Sequence, residues 1–337
     1  MAPTKTIVVL GATGNQGGSV VRTFLKDPAN WHVRAATRNP SSAAAVEVSN
    51  LGAEVVSASL DSVSDLKAAF TDANAIFAVT DFWGAVQDPK VQQDAATKGI
   101  QIAARDAEES WGRNIAAAAA GVSTLERFVF STLPGVSDLT EGRLKNVYHY
   151  DGKANIVKHI QSSLPELWSK TSLIFVGHYN SNISPGSFFA PAYNPEKDQA
   201  ELEGATAGDV PVAFIDAPGS TGRFVKALVV DEPAGLALAA FDEWQTRQET
   251  VDALTRITGK RFAYVQKSVE EMAVASPFGL EIPETFIFTA EYGFFGEKVE
   301  GWKDSLTWPS QLKNKVEGVS LDKWLSEQDW SSVFAKA

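Results

Sequence analysis

The 337-residue sequence contains no cysteine, which excludes disulfides, zinc–thiolate sites, iron–sulfur ligation and any thiol nucleophile or redox switch. Its four histidines are too few for a dedicated metal centre to be expected. There is no block of lysines and arginines, and 41 acidic residues against 30 basic ones leave a formal net charge of −11. Non-specific nucleic-acid binding and attachment to anionic membranes both rest on phosphate neutralisation, so neither is expected. Bulk charge still leaves room for a small local basic site. No uninterrupted apolar stretch approaches the length of a membrane span. The N-terminus, Met1-Ala-Pro-Thr-Lys-Thr6 with only four strongly apolar residues after it, is too short for a signal-peptide core. The expected location is cytoplasmic, with the nucleus as an additional compartment. What is present, 44% hydrophobic and 21% charged residues, is the composition of a globular chain with one large domain or a domain plus a lobe.

From Thr6 to Gly177, short β-branched runs alternate with longer alanine-rich amphipathic stretches, the pattern of a parallel sheet covered by helices. Strands are predicted at Ile7–Leu10, His32–Thr37, Glu54–Ser57, Ala75–Thr80, Phe128–Ser131 and Ser172–Val176. Helices are predicted at Gln16–Lys26, Ser42–Leu51, Val63–Phe70, a long Asp88–Ala120 region and Tyr150–Ser162. Six strands with crossover helices predict an α/β fold with a doubly wound parallel sheet, a Rossmann fold, over residues 1–177. Beyond Gly177, Pro185, Pro191, Pro195, Pro211 and Pro218 interrupt the pattern and predict a loop-rich stretch suited to substrate contacts. Asp231-Glu-Pro233 then predicts the cap of a helix running through Ala240, followed by a strand at Phe262–Gln266 and a helix from Ser268. Residues 178–337 therefore read as a smaller α+β lobe built around the sheet edge.

The strongest chemical signal is Gly11-Ala-Thr13-Gly14-Asn15-Gln16-Gly17, placed directly after a strand and before a helix as a dinucleotide-binding turn requires. Gly11 permits the tight exit from the strand, Gly14 lets backbone approach a pyrophosphate, and Gly17 lets helix and strand pack closely. The positive end of the helix then faces the anion. At the end of the second strand, where an NAD site would usually offer an acid to the ribose, the chain has Arg34-Ala-Ala-Thr37-Arg38-Asn39-Pro40. Arg38 can pair a 2′-phosphate, so NADP(H) is the expected cofactor. Asp61, past the third strand, either meets the adenine edge or simply opens a helix.

These motifs, with Phe128-Val-Phe-Ser131-Thr-Leu-Pro134, Asp151-Gly-Lys153-Ala, Gly177-His-Tyr179-Asn180-Ser-Asn182 and Thr258-Gly-Lys-Arg-Phe-Ala-Tyr-Val265, resemble the NmrA-like family. These are atypical short-chain dehydrogenase/reductase folds, and the resemblance spans most of the chain. It implies an NADP-binding Rossmann domain with a small C-terminal lobe, and it leaves catalysis open, since the family includes cofactor-sensing regulators and relatives that reduce small molecules.

Catalysis turns on a missing tyrosine. In Tyr-x-x-x-Lys, i and i+4 share a helix face and the lysine makes the phenol a proton donor. Here His149 stands four residues before Lys153, flanked by Tyr148 and Tyr150 at the wrong offsets. The literal match Tyr193-Asn-Pro195-Glu-Lys197 is read as coincidence, because Pro195 opposes a helix. Lys153 is expected to bond the nicotinamide ribose or, as the resemblance to lysine-using reductases suggests, to act as general acid. His149 is a candidate proton relay and Ser131 a candidate substrate contact. Thr80, Tyr179 and Asn180 are expected around the nicotinamide, and Phe82, Trp83 and Tyr179 around a hydrophobic substrate. Trp302, Trp308, Trp324 and Trp330 fall in the last 36 residues alongside Phe334, and a predicted amphipathic helix from Leu321 to about Phe334 is read first as core packing and second as a self-association or regulator-binding surface. Two functions follow: an NADP(H) sensor acting through a regulatory protein partner or a homodimer, and an NADPH-dependent reductase of a small hydrophobic molecule.

Overall fold

The computed structural model describes residues 4–335; Met1–Pro3, on which part of the N-terminal reading falls, and residues 336–337 lie outside the described residues. Apolar runs of four to six residues become strands where both faces can be covered. In the first half β1 (Lys5–Leu10), β2 (Trp31–Thr37), β3 (Glu54–Ser57), β4 (Ala75–Ala78), β5 (Arg127–Thr132) and β6 (Thr171–Val176) form one parallel sheet. Its helices are α1 (Asn15–Phe24), α2 (Ala43–Asn50), α3 (Val63–Ala69), α4 (Phe82–Val86), α5 (Pro89–Lys98), α6 (Ile100–Ala120), α7 (Val136–Leu139), α8 (Tyr148–Ser163) and α9 (Pro165–Trp168). The strand order β6-β5-β4-β1-β2-β3 reverses direction between β1 and β4, which opens a crevice at the carboxyl ends of the strands. Alternate residues feed two cores. Val8, Ile76, Phe128 and Phe130 meet Ile115 of α6 and Ile156 of α8, whereas Ile7, Val9, Phe77 and Val129 meet Val20 and Phe24 of α1. Phe77, Phe128 and Phe130 are fully buried, each stabilising the fold by about 1.5–3 kcal/mol relative to exposure.

The second half contains β7 (His178–Tyr179), β8 (Ala192–Asn194), β9 (Gln199–Gly204), β10 (Pro211–Ile215), α10 (Ala217–Lys226), β11 (Ala237–Ala240), β12 (Glu243–Thr246), α11 (Arg247–Thr258), β13 (Phe262–Gln266), α12 (Val269–Ala275), α13 (Glu281–Tyr292), α14 (Leu321–Ser326) and α15 (Ser331–Phe334). Two small sheets, β12-β10-β7 and β13-β9-β8, build the lobe, while β11 joins β6 in parallel as the seventh strand of the large sheet. Helix α10 also returns to that layer, where the Gly222 amide donates to Ser19 Oγ of α1 at 2.9 Å.

Four expectations need correction. The loop-rich stretch contains β8, β9, β10 and α10; Pro218 opens α10 near its first turn instead of interrupting the chain. The predicted helix through Ala240 is a strand: Pro233 and Gly235, at φ +95°, turn the chain, and Leu238–Ala240 is wholly buried against β6. The Asp88–Ala120 region breaks at Gly99, φ +85°, into α5 and α6. The C-terminal helix is two short helices with Trp330 buried between them, its indole donating to the Leu325 carbonyl at 2.8 Å. All four C-terminal tryptophans pack against the large core.

Candidate active site

The glycine turn folds as its spacing demands. Gly11 takes φ +65°, and a Cβ on Gly17 would lie 2.2 Å from the Gly11 carbonyl oxygen, so α1 can meet the end of β1 only at a glycine. The N-terminus of α1 has no side-chain cap and no acidic residue in its first turn. Its free N–H groups therefore face open space with the positive end of the helix dipole behind them, an arrangement suited to an anionic phosphate. The turn forms one end of a cavity of about 1080 Å³ that continues past the carboxyl ends of β4, β5 and β6 into the lobe. Gly11, Thr13, Gly14, Asn15, Gln16, Gly17, Arg38, Asp61, Thr80, Phe82, Trp83, Ser131, His149, Lys153 and Tyr179 all border it. Arg38 is exposed and forms no ion pair among the described residues. Asp61 accepts a hydrogen bond from Trp111 Nε1 at 2.8 Å and so already has a structural role in the wall.

Asn180 is the exception. The backbone leaves β7 into a 3-10 turn over Asn180–Ile183, which buries Asn180 and takes it out of the cavity wall. Asn182, two residues on, lines the cavity instead. Tyr179 does reach the turn: its phenol oxygen accepts from Gln16 Nε2 at 2.5 Å. Burial pushes the phenol up to about 12, partly opposed by that hydrogen bond, so Tyr179 holds its proton firmly. Tyr193 and Lys197 lie off any helix, paired with Asp198 and Glu201.

Lys153 is buried with every N–H in use. An ammonium has three donors, and Lys153 gives them to the Thr80 carbonyl at 2.8 Å, Thr80 Oγ1 at 3.0 Å and the Glu108 carboxylate. Glu108 is wholly inaccessible, and its second oxygen has no partner. The pair exists because α6 and α8 approach closely; a Cβ on Gly112 would come within 2.3 Å of Ile156 Cδ1. Lys153 therefore anchors α8 to α6 and to the end of β4, and has no proton left to offer the cavity.

His149, in the first turn of α8, is arranged differently. Its Nδ1 is hydrogen-bonded to Glu281 at the start of α13, and the same carboxylate oxygen accepts from the His149 amide at 3.0 Å. Glu284, one turn on, accepts from the Asn146 amide at 2.8 Å. Helix α8 has no side-chain cap of its own; Glu281 satisfies one of its orphan amides, and Glu284 holds Asn146 just before the helix. The imidazole packs among Phe82, Trp83 and Tyr150, with ring centroids 4.7–5.9 Å away. A buried carboxylate on Nδ1 fixes the orientation of the ring and leaves Nε2 as its second polar atom. Phe82 and Trp83, with centroids 5.0 Å apart, and Phe278, at 5.0 Å from Trp83, form an apolar wall beside it.

Four site residues escaped the sequence reading. Glu108 and Glu281 lie 45 and 132 residues from the groups they hold, and no local pattern links them. His178 and Arg247 border the lobe end of the cavity. His178 is packed between Phe189 and Phe214, and burial, reinforced by the nearby Arg247 cation, holds its imidazole down at about 3. Among the described residues, no group of three or more His, Asp or Glu side chains is placed to hold a metal ion, and no helix is long and apolar enough to cross a membrane.

Comparison with known proteins gives a consistent result. The model of the NmrA-like family matches residues 3–317. An NmrA-like family domain-containing oxidoreductase, hkm9, of Aspergillus hancockii is 36% identical over 292 residues, covering 84% of this chain and 80% of its own. Among solved structures, Nmra, a negative transcriptional regulator, superposes with a TM-score of 0.74 at 20% identity, covering 96% of this chain and 95% of its own. An NADPH complex of the quinone oxidoreductase QOR2 of Escherichia coli superposes with a TM-score of 0.66 at 18% identity, covering 95% and 98%.

Proposed function

The chain belongs to the NmrA-like family, and from that premise we propose that it is an NADPH-dependent reductase of small apolar carbonyl compounds. The observation that carries this reading is the His149–Glu281 pair on the wall of a cavity that also holds the glycine turn. The uncapped start of α1 and the clearance at Gly17 fit a pyrophosphate, and the unpaired Arg38 fits a 2′-phosphate. The NADPH held by QOR2 and the oxidoreductase name of hkm9 support the same direction.

NADPH, when bound, supplies a hydride to the carbonyl carbon. The remaining work falls to the chain. Phe82, Trp83 and Phe278 exclude water beside the reacting group. His149 Nε2, with Glu281 balancing its charge, gives a proton to the carbonyl oxygen, so that the product is an alcohol. Lys153 holds Thr80 and α8 in place. This transfers the proton-donor role from Lys153, whose donors are spent, to His149, which occupies the position of the missing tyrosine. The absence of that tyrosine favoured a sensor of cofactor level on sequence grounds; a fixed proton donor beside an apolar wall is a feature sensing does not need. The test follows NADPH absorbance with a panel of aromatic aldehydes and ketones. Turnover of roughly one per second or faster, lost in His149→Phe with NADPH affinity retained, is the expected result. Tight NADPH binding with no consumption by any member of the panel would return the sensor reading.

A further inference from the structure

Arg247 is the first residue of α11, a cation at the positive end of a helix dipole, where charge of this sign is unfavourable. It is only 8% exposed, yet among the described residues no carboxylate pairs with it and Nη1 has no hydrogen-bond partner. Its guanidinium lies over the face of Phe286, 4.5 Å from the guanidinium carbon to the ring centroid. Such a contact contributes on the order of 0.5–2 kcal/mol, less than the several kcal/mol that burying an unpaired cation costs. Burial brings the guanidinium down to about 10, which still leaves it charged at neutral pH. The adjacent His178 Nε2 is also buried without a partner. A chain does not keep an uncompensated buried charge for stability; a charge of this kind on a cavity wall awaits an anion.

The position of that wall matters. Ile282, Thr285 and Phe286 of α13 line the same cavity, and Glu281, which fixes His149, begins the helix. His149, which Glu281 holds, and Arg247 both border this cavity.

We propose that Arg247 binds a carboxylate of the substrate, so that the molecules reduced at His149 are oxo acids whose acid group and carbonyl are separated by an apolar spacer. The inference rests on the reductase reading of the same cavity and adds the substrate class to it. Its chemistry is a bidentate guanidinium–carboxylate pair, which would satisfy the orphan nitrogen and neutralise the buried charge.

The test compares 4-acetylbenzoate with its methyl ester by titration calorimetry on the full chain saturated with NADP. The acid is expected to bind at least tenfold more tightly than the ester. In Arg247→Met, which keeps apolar volume over Phe286, the preference should vanish while ester affinity stays within a factor of two. The wild-type comparison alone decides the matter if the variant fails to fold: no saturable binding of the acid, or equal affinities for acid and ester, overturns the proposal, as does a preference that survives in a folded Arg247→Met. Acid-selective binding without NADPH consumption would keep the Arg247 site and remove the reductase reading. Consumption of NADPH by neutral ketones with no acid preference would do the reverse.

Discussion

Replacing Lys153 tests the geometry most severely, because the side chain is both a natural target for activity studies and half of a buried ion pair. In Lys153→Ala, Glu108 remains wholly inaccessible with neither oxygen satisfied, and the Thr80 carbonyl also loses its donor. Breaking a buried pair from one side costs about 3–5 kcal/mol. With about 2.1 cal/mol/K of unfolding entropy per residue, a chain of 337 residues should lose about 4–7 °C in Tm. Removing both partners with apolar residues of similar size is far milder, so Lys153→Met/Glu108→Leu should recover most of the loss seen in Lys153→Met. Calorimetry of the two single variants and the double variant measures this directly. The reasoning is refuted if Lys153→Met melts within about 1 °C of the wild type, or if the double variant is no more stable than the singles. Loss of activity in Lys153→Ala would therefore not identify a proton donor, since much of it would follow from displaced Thr80 and α8.

Other outcomes follow from the same geometry. Arg38→Ala should weaken NADP binding about tenfold or more while leaving NAD binding within a factor of about two, equivalent to roughly 1.4 kcal/mol or more from one charge-assisted contact, measured by calorimetry. Gly17→Ala should abolish dinucleotide binding and lower Tm, because its Cβ would stand 2.2 Å from the Gly11 carbonyl oxygen; titration and thermal melts report both. Glu281→Gln should reduce kcat more than KM for any substrate found, because it alters the contact that fixes the His149 ring, and steady-state kinetics separate the two effects. His178 is held near 3 in the fold against an ordinary 6.5. The unfolded chain therefore binds the extra proton between those values, and this contribution to stability is full above pH 6.5 and lost as pH falls toward 3. His178→Phe should flatten that slope by one proton, about 1.4 kcal/mol per pH unit, in urea titrations between pH 6 and roughly 4.

The first six strands of the sheet were legible in the sequence because most are short runs rich in apolar residues, with β4, β5 and β6 buried on both faces. The glycine turn was legible because close approach permits so few residue types. Ala237–Ala240 was misread for a physical reason: an alanine- and leucine-rich run has high helix propensity, and only its neighbour β6 makes it a strand. Pro218 misled in the opposite sense, since proline marks both loops and first turns of helices. At the candidate site, His149 and Lys153 were visible through their spacing on one helix. Their partners were not, since Glu281 and Glu108 reach them only through the packing of α13 and α6 on α8. Arg247 carries no local signal at all; its distinction is the lack of a partner, which only the packed structure reveals.

The most direct measurement of the central claim is isotope transfer. The chain is incubated with NADPH carrying deuterium at the reactive ring carbon and an aromatic ketone, and the product is analysed by mass spectrometry. The account predicts an alcohol with one deuterium on the carbinol carbon, formed by the wild-type chain and not by His149→Phe. Bound NADPH with no labelled alcohol, or label transfer undiminished in His149→Phe, would contradict it.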